Sequence, residues 1–250
     1  MKNKNTIYPG YILITGAGSG IGLSIAEFLL SKGVENIICQ YRNRKDKLQE
    51  LFEINNLDPA NHTFQAELTD EEQLKELRLF ANSKYNNIYA LINVAGASTN
   101  CISWKMKKEE FVNIINANLL SCFLCTREFI PDMRAQSFGK IINFSSIVAF
   151  TGIIGSVHYC ASKAGIIGLS KSLSLELANK NINVNTIALG YFDRGLINDV
   201  PENLQNEIKE KTPLKRFGTS NEVSSLVDYL ISINSNFTTG QVFHLNGGLY

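Results

Sequence analysis

The sequence lacks any run of about 18 consecutive apolar residues, the length that a membrane-spanning helix needs. Its formal net charge is only +1, which argues against general attraction to nucleic acid or to an anionic membrane. The basic leader Met1–Asn5 is followed by an apolar run too short for a signal peptide. We therefore expect a soluble, cytoplasmic protein that has neither nucleic acid nor membrane as a partner.

Histidine and cysteine are too sparse to suggest a metal centre or a disulfide framework. The chain has three histidines and an odd number of cysteines, five. Cys122 and Cys125 have the C-x-x-C spacing of redox and metal sites, but no second pair and no histidine at ligand spacing accompanies them. We expect free thiols packed in the core and no metal.

The order of apolar patterns along the chain predicts an α/β fold. With 44% hydrophobic residues, the 250 residues can form one large core, so we expect a single domain over residues 1–250. Strand-like runs alternate with helical ones, which indicates a Rossmann-type, doubly wound parallel sheet of seven strands with helices on both faces. The strands are predicted at Ile12–Thr15, Asn36–Gln40, Thr63–Ala66, Ala90–Val94, Lys140–Ser145, Asn183–Ala188 and Val242–Leu245.

Two helix starts have the capping-box pattern, Thr69 with Glu72 and Thr219 with Glu222. The segment Tyr191–Lys215 is long and has few structural signals, so we interpret it as a lid.

A glycine-rich turn follows the first predicted strand. Residues Thr15–Gly22 come directly after the apolar run Tyr11–Ile14 and lead into a helical pattern. This order begins a dinucleotide-binding unit, because glycine lets the backbone approach a pyrophosphate and the free N–H groups of the helix start favour its charge. The spacing differs from the common G-x-G-x-x-G register, so the turn alone is weak evidence.

Tyr159 and Lys163 lie one helical turn apart on a common face, and Ser146 and Asn118 precede them. A free tyrosine titrates near ~10, too high for efficient proton transfer at neutral pH, and a neighbouring cation lowers that value. The spacing is common by itself and gains meaning only from its surroundings.

Several of these features directly follow predicted strands. The carboxyl ends of parallel strands meet at one edge of a sheet, where ligands collect. We therefore expect one crevice lined by Thr15–Gly22, Arg42, Asn93–Gly96, Ser146 and Gly190.

Together these motifs resemble the short-chain dehydrogenase/reductase family in its compact, single-domain branch, from Ile12 to Gly248. The glycine turn is similar to the family's T-G-x-x-x-G-x-G, and Asn93–Gly96 to its N-N-A-G, with Val94 replacing the second asparagine. The family's closing motifs resemble Leu214–Gly218, Thr239–Gln241 and Asn246–Gly248.

The segment Ala95–Phe111 is similar to that of bacterial 3-oxoacyl-[acyl-carrier-protein] reductases. The resemblance implies hydride transfer between a nicotinamide and a ketone or secondary alcohol. The residues that match the catalytic tetrad are Asn118, Ser146, Tyr159 and Lys163.

In that tetrad Tyr159 would protonate the developing alkoxide, and Ser146 would hydrogen-bond the same oxygen. Lys163 would lower the tyrosine pKa and hold the nicotinamide ribose, and Asn118 would anchor a water. The residues that the resemblance assigns to cofactor binding are Gly16, Ser19, Gly20, Ile21, Gly22, Arg42, Glu67, Leu68, Asn93, Ala95, Gly96, Tyr159, Lys163, Gly190 and Phe192.

The end of the second predicted strand favours NADP(H) over NAD(H). Relatives that prefer NAD place an acidic residue there, whereas this chain has Arg42, and Glu35 lies at the other end of the strand. An arginine suits a 2′-phosphate by its charge and its forked donors. The alternative is that Arg42 and Arg44 are ordinary solvated charges. Ser19 also stands where many NADP-binding relatives have a second basic residue.

The chain departs from the family pattern after the sixth strand, where Leu189 replaces a proline and Arg194 a threonine that contacts the nicotinamide. Arg194 is either a lid-surface charge or a ligand for an acidic substrate. The basic pair that docks an acyl carrier protein is represented by Lys180 but not at Ser137, near which only Arg134 and Lys140 are basic.

The first substrate hypothesis is a 3-oxoacyl thioester. A sugar, polyol or other small metabolite remains the alternative, and a non-catalytic nucleotide sensor is a third possibility. The resemblance also implies a homotetramer, to whose interfaces the apolar Leu119, Phe123 and Leu169 would contribute unless they pack internally.

Three further residues near the motifs have less definite interpretations. His158 next to the tyrosine suggests a general base, but neighbouring helix positions point in different directions, so packing is favoured. Trp104 and Met106 are candidates for substrate contact or for the core.

Overall fold

A computed structural model describes residues 8–250, and of residues 196 and 199 the backbone only. Within this range seven parallel strands form one sheet in the order β3-β2-β1-β4-β5-β6-β7. The leader Met1–Asn5 lies outside the described residues. The strands are β1 Tyr11–Thr15, β2 Ile37–Tyr41, β3 Thr63–Gln65, β4 Ile88–Asn93, β5 Gly139–Ser146, β6 Ile182–Leu189 and β7 Val242–Leu245.

Helices cover both faces of this sheet. Every residue of β1, β4 and β5 is buried, as expected for parallel strands between two helical layers. The helices are α1 Gly20–Ser31, α2 Asp46–Ile54, α3 Glu71–Lys84, α4 Lys108–Ile115, α5 Ser121–Gln136, α6 Val148–Thr151, α7 Val157–Leu177, α8 Glu202–Lys211 and α9 Ser220–Ile231. The prediction of a doubly wound α/β fold with seven strands is confirmed.

The core has two parts, one on each face of the sheet. On one face α1 and α9 bury residues such as Leu29 and Val227 against the strands. On the other face α3, α5 and α7 bury residues such as Leu77, Phe129 and Leu177. The strand order reverses direction between β1 and β4, and the carboxyl ends of the strands diverge there into a crevice.

The start of α3 differs from the prediction. The capping box of Thr69 with Glu72 is wrong, because Asp70 is the cap and its carboxylate accepts from the backbone N–H groups of Glu72 and Gln73. Aspartate is also a preferred N-cap residue, and Asp70 follows Thr69 directly, so it accepts from the first N–H groups of the helix in its place. The capping box of Thr219 with Glu222 at α9 is confirmed.

The segment Tyr191–Lys215 contains a helix that the sequence did not reveal. Helix α8 has no buried residue, so it lacks the apolar stripe by which a helix is recognised. The segment begins at the sheet edge, where Phe192 pairs with Gly218.

The remaining expectations concern the burial of cysteine and tryptophan side chains, potential metal ligands and membrane-spanning helices. Cys122 and Cys125 are buried free thiols, as predicted, and no cluster of potential metal ligands occurs among residues 8–250. In that same range we find no helix with the length and apolarity to cross a membrane. Trp104 is 78% exposed, so of its two interpretations, substrate contact or packing in the core, the second is wrong.

Candidate active site

The glycine turn packs closely against neighbouring backbone at the crevice. Gly16 has φ of +66°, and a Cβ at this position would lie 2.7 Å from the Cα of Ala95. Only glycine fits this conformation and this distance without strain. The Gly16 N–H donates to the side-chain oxygen of Gln40 (2.9 Å), and the Ala17 N–H to the Gln40 carbonyl (2.9 Å). The turn is therefore fixed to β2.

The start of α1 offers unpaired donors to an anion. Ser19 is the N-cap residue in an extended conformation, and no side chain caps the helix there. Gly20 follows with φ of +58°, and Ile21 packs against the core beneath. The first N–H groups of a helix have no partner within it and carry partial positive charge. Together with the glycine at position 22, this donor set fits a pyrophosphate.

The segment after β4 is fixed to β1 and faces the crevice with its backbone. The Thr15 hydroxyl accepts from the N–H groups of Val94 (3.2 Å) and Ala95 (3.3 Å). The Asn93 side chain points away, because its amide donates to Thr126 (2.9 Å) and Asn143 (2.8 Å) inside the protein. Asn93 therefore holds β4, β5 and α5 together and leaves its backbone for the crevice side.

Asn118 lies in a π-helical turn, Asn116–Leu120, between α4 and α5. Its fully buried amide donates to the Ala97 carbonyl (2.9 Å) and to the Ser162 hydroxyl (3.1 Å), and it accepts from the Ala97 N–H (2.8 Å). A Cβ on Gly96 would lie 2.6 Å from the Asn118 side-chain oxygen. The wider turn brings the asparagine into this position, as π-turns often do at functional sites.

Ser146 and Tyr159 form the centre of the site. Ser146 is the last residue of β5, and Tyr159 lies in the first turn of α7. The Ser146 hydroxyl lies near enough to the Tyr159 phenol for it to act to lower the Tyr159 pKa. The same hydroxyl donates to the Leu189 carbonyl (3.5 Å) and accepts from the Val148 N–H (3.4 Å). The sequence-based pairing of a serine with this tyrosine is thus present in the geometry.

Lys163 lies behind the tyrosine and is attached to β5. Its ammonium donates to the Phe144 carbonyl (2.8 Å) and lies 5.7 Å from the centre of the Tyr159 ring. In return, the Ser145 hydroxyl donates to the Lys163 carbonyl (2.7 Å). A Cβ on Gly96 would approach the Lys163 nitrogen to 3.5 Å, so these groups share one small volume.

Burial shifts both titratable groups of the site towards their neutral forms. It raises the pKa of Tyr159 to about 12, against the smaller, opposite effect of the nearby Ser146 hydroxyl. It lowers the pKa of Lys163 to about 8. In the free protein, desolvation by burial therefore sets the direction of the Tyr159 pKa shift, and the expectation that the lysine lowers this pKa stays a prediction.

The end of β6 closes the crevice. The Gly190 N–H donates to the Leu245 carbonyl (2.8 Å), and a Cβ on Gly190 would lie 2.7 Å from the Cα of Asn246. The Phe192 ring is buried against Gly218, where a Cβ would lie 2.3 Å from the ring. Tyr191 lies between Gly190 and Phe192 in the sequence. It is close enough to Tyr159 that a negative charge on the Tyr191 phenolate raises the pKa of Tyr159.

Arg42 and Glu67 lie together at the ends of β2 and β3. The guanidinium and the carboxylate are 3.7 Å apart; the Arg42 side chain is largely exposed and that of Glu67 is partly buried. The Arg42 carbonyl accepts from the Gln65 side chain (2.8 Å), which fixes the backbone. Leu68, next to Glu67, is packed in the core.

Other candidates lie apart from this group. Arg194 donates to Glu27 (2.7 Å) and Ser24 (2.9 Å) on α1. His158 is fully buried and its Nε2 contacts the Thr99 hydroxyl (2.9 Å), which favours the packing role over that of a general base. Lys140 is likewise buried, which removes it from any docking surface.

The sequence reasoning did not identify Gln40, Ser162 or Tyr191. Gln40 had a signal, since it is the polar residue at the end of the apolar run Ile37–Cys39. Ser162 and Tyr191 had none, because their positions depend on the π-turn and on the path after β6.

Fold and site define a class of protein, the Rossmann-type α/β enzymes that act at the carboxyl edge of a parallel sheet. The sequence profile of the short chain dehydrogenases matches residues 10–205. The chain belongs to the short-chain dehydrogenase family. It is therefore an oxidoreductase of C=O and CH–OH groups, and its chemistry implies a nicotinamide cofactor.

Relatives match along nearly the whole chain. A 3-oxoacyl-[acyl-carrier-protein] reductase FabG of Staphylococcus epidermidis is 36% identical over 239 residues, covering 95% of this chain and 98% of the relative. The protein of the same name from Rickettsia prowazekii is 37% identical, covering 95% of each chain. Nodulation protein G of a Rhizobium species is 36% identical, also covering 95% of each chain. The resemblance to 3-oxoacyl-[acyl-carrier-protein] reductases is thus confirmed.

The pKa of Lys163 predicts how the rate of carbonyl reduction depends on pH. Since the ammonium loses its proton around pH 8, we expect the rate at saturating cofactor to be highest below about pH 8 and to fall above it. The Tyr159 phenol keeps its proton throughout this range because its pKa is about 12. The measurement is a series of initial rates between about pH 6 and pH 9.5, with the cofactor Kd determined at each pH.

The neutral variant Lys163→Met is the control. It should be slower by about 100-fold or more and should lack the decline near pH 8. A wild-type rate that stays constant up to pH 9.5 would contradict the assignment of this charge to the reaction.

Proposed function

We propose that the protein is an NADP(H)-dependent reductase of 3-oxoacyl thioesters. The observation that carries the proposal is the placement of the Ser146 hydroxyl next to the Tyr159 phenol, with Lys163 behind them, at the crevice beside the glycine turn. Two hydroxyl donors that converge on one point are what a developing alkoxide oxygen requires.

The catalytic roles follow from the state of each group. Tyr159 is neutral at physiological pH because its pKa is about 12, so it has a proton to give to the substrate oxygen. Ser146 is held at the end of β5 and fixes the position of that oxygen. The cofactor supplies the hydride when it is bound.

Lys163 and Asn118 support the pair. The Lys163 ammonium uses one of its N–H groups for Phe144 and keeps the others for the phenol side and for ribose hydroxyls. Asn118 is fully engaged with Ala97 and Ser162, so its side chain positions the segment after β4 and the tyrosine-bearing helix. Because the side chain is engaged, we propose that Asn118 anchors the water through its backbone groups.

The cradle for the cofactor consists mainly of backbone. Ser19, Gly20, Ile21 and Gly22 at the start of α1 would hold the pyrophosphate, and Gly16 would let the backbone of the turn approach it closely. Main-chain groups of Ala95, Gly96, Gly190 and Phe192 would form the walls. Leu68 would contribute through its backbone as well, because its side chain is in the core.

Preference for NADP(H) rests on Arg42. Its side chain is largely exposed at the carboxyl end of β2 and has a single weak ionic partner, Glu67, at 3.7 Å. A 2′-phosphate carries more charge than this carboxylate and accepts the guanidinium fork, so it would displace Glu67 as the partner.

The substrate proposal rests on the relatives, of which two are named for 3-oxoacyl-[acyl-carrier-protein] reduction. The altered segment that ends at Arg194 and the weak docking surface keep a sugar or polyol as the alternative. The ion pair of Arg194 with Glu27 on α1 weakens a separate hypothesis, that Arg194 binds an acidic substrate, because Glu27 already occupies its charge. A nucleotide sensor without activity is disfavoured by the complete tetrad.

Docking of a carrier protein and assembly into a homotetramer belong to the same proposal. Exposed Phe123 on α5 is available for an interface, whereas Leu119 packs against Gly165 of α7 within the chain. The cytoplasmic location stays a prediction.

Replacing Tyr159 by phenylalanine removes the proposed acid and keeps the ring. We expect kcat to fall by about 100-fold or more, while the Kd of NADPH stays within about 2-fold of the wild-type value. Fluorescence titration measures the binding and NADPH oxidation the turnover. Retained turnover in Tyr159→Phe would refute the assignment.

Replacing Arg42 by aspartate tests the cofactor preference. The substitution removes the cation and places a carboxylate beside the 2′-phosphate, so the KM for NADPH should rise by about 10-fold or more. The KM for NADH, which has no 2′-phosphate, should stay unchanged or fall. Arg44→Asp is the matched control, because Arg44 is exposed on the same loop and should have a smaller effect. An unchanged preference for NADPH in Arg42→Asp would refute the role.

A panel of ketones distinguishes the proposed substrates. We expect oxidation of NADPH with acetoacetyl thioesters and little with polar sugar ketones. Efficient turnover of sugar or polyol ketones, with none of the thioester, would favour the alternative.

A further inference from the structure

Gln40 is a buried amide in an otherwise apolar strand, and both ends of that amide are engaged. The residue is 2% exposed and follows Ile37, Ile38 and Cys39 in β2. Its oxygen accepts from the Gly16 N–H (2.9 Å), and its nitrogen donates to the Ala66 carbonyl (2.6 Å). Its backbone carbonyl also accepts from the Ala17 N–H (2.9 Å).

These partners lie on opposite sides of β2. Gly16 begins the glycine turn after β1, and Ala66 follows β3 and immediately precedes Glu67. In the sheet order β3-β2-β1, the ends of β1 and β3 are not neighbours. The Gln40 side chain therefore spans the gap between the turn that would hold the pyrophosphate and the segment that would contact the adenosine.

The bond to Gln40 also determines which donors the turn can offer. Since the Gly16 N–H points to Gln40, it is not available to a phosphate, and the donors for an anion are those at the start of α1. Meanwhile Gly16 is held at φ of +66° against Ala95. The conformation of the turn is thus set from beneath by a residue that lies outside every glycine motif.

Glutamine fits the chemistry of this position. The site needs one acceptor and one donor at separate atoms of a side chain long enough to reach both segments, and a glutamine amide supplies both without charge. Glutamate retains the acceptor but turns a second oxygen towards the Ala66 carbonyl. Methionine has a similar length and neither strong group.

We propose that Gln40 is a positioning residue for the cofactor, which sets the spacing between the pyrophosphate turn and the adenosine segment. The inference rests on the proposed binding of NADP(H) in this crevice. Gln40 acts through Gly16 and Ala66 and does not itself contact the reacting atoms.

The first test compares Gln40→Met with a matched control in the same strand region. Asn36 is also a buried amide, 4% exposed, and its nitrogen donates to the carbonyls of Tyr8 and Gly10 at the opposite edge of the sheet. Gln40→Met and Asn36→Leu should both lower the Tm. Only Gln40→Met should raise the Kd of NADPH, by about 10-fold, with kcat at saturating cofactor within about 2-fold.

The second test uses the protonation of a carboxylate. In Gln40→Glu the protonated acid can again donate to the Ala66 carbonyl, and burial favours that neutral form. The Kd of NADPH for this variant should therefore approach that of the wild type as the pH falls from about 8 to about 5.5. Gln40→Met should show no such recovery, and a Gln40→Glu variant without recovery would contradict the role of the donor.

The third test separates spacing from local damage. Adenosine 2′-monophosphate has no pyrophosphate, so it would contact the adenosine segment alone. We expect its inhibition constant to change little in Gln40→Met, while the Kd of NADP(H) rises. An equal loss for both ligands would overturn the spacing argument.

The outcomes distinguish this inference from the function on which it rests. If the wild-type protein fails to bind NADPH by fluorescence titration or calorimetry, the proposed function is wrong. If the wild type binds NADPH and Gln40→Met binds it equally well, the positioning role of Gln40 is wrong while the proposed function stands.

Discussion

The attachment of Lys163 to β5 is the interaction on which the arrangement of the site depends. The Lys163 ammonium donates to the Phe144 carbonyl of β5. The Lys163 carbonyl accepts from the hydroxyl of Ser145, the residue that follows Phe144 in the strand. These two bonds fix the rotation of α7 relative to the strand. Because Tyr159 lies one turn earlier on the helix and Ser146 ends the strand, the same attachment brings the two hydroxyls together.

Burial gives this arrangement its chemical character. It raises the pKa of the phenol to about 12 and lowers that of the ammonium to about 8, so at neutral pH the phenol is uncharged and the lysine is still mostly protonated. The tyrosine is then a proton donor in the resting state. The lysine, with a pKa of about 8, is the group whose charge changes near physiological pH.

Close backbone contacts connect the chemistry to the rest of the crevice. Gly16 approaches Ala95, Gly96 approaches Asn118, and Gly190 approaches Asn246, each at a distance that leaves no room for a Cβ. The end of β1 is therefore in contact with the segment after β4, and the end of β6 with the segment after β7. The Gln40 side chain connects the glycine turn to the segment after β3 by two hydrogen bonds. These bonds satisfy its polar amide inside a buried strand.

The sequence alone determined the elements and the positions of the chemistry. The apolar runs are long enough to give seven strands within one or two residues of their true ends, since burial on both faces of a parallel sheet leaves a clear pattern. The glycine turn and the Tyr159–Lys163 spacing could be predicted for a different reason, which is that each is a short pattern of residues close together in the sequence. The capping pattern predicts Thr69 as the N-cap residue of α3, whereas Asp70 is the cap. Local patterns do not separate two adjacent residues that can both accept from the same backbone N–H groups.

Only the tertiary structure decided the rest. The π-turn that directs Asn118, the pairing of Arg194 with Glu27 and the exposure of Trp104 arise from contacts between segments far apart in the chain. The pKa of Tyr159 is the clearest case. A helical spacing predicts that a lysine is near, but the balance between its attraction and desolvation depends on how much of the protein packs around both groups.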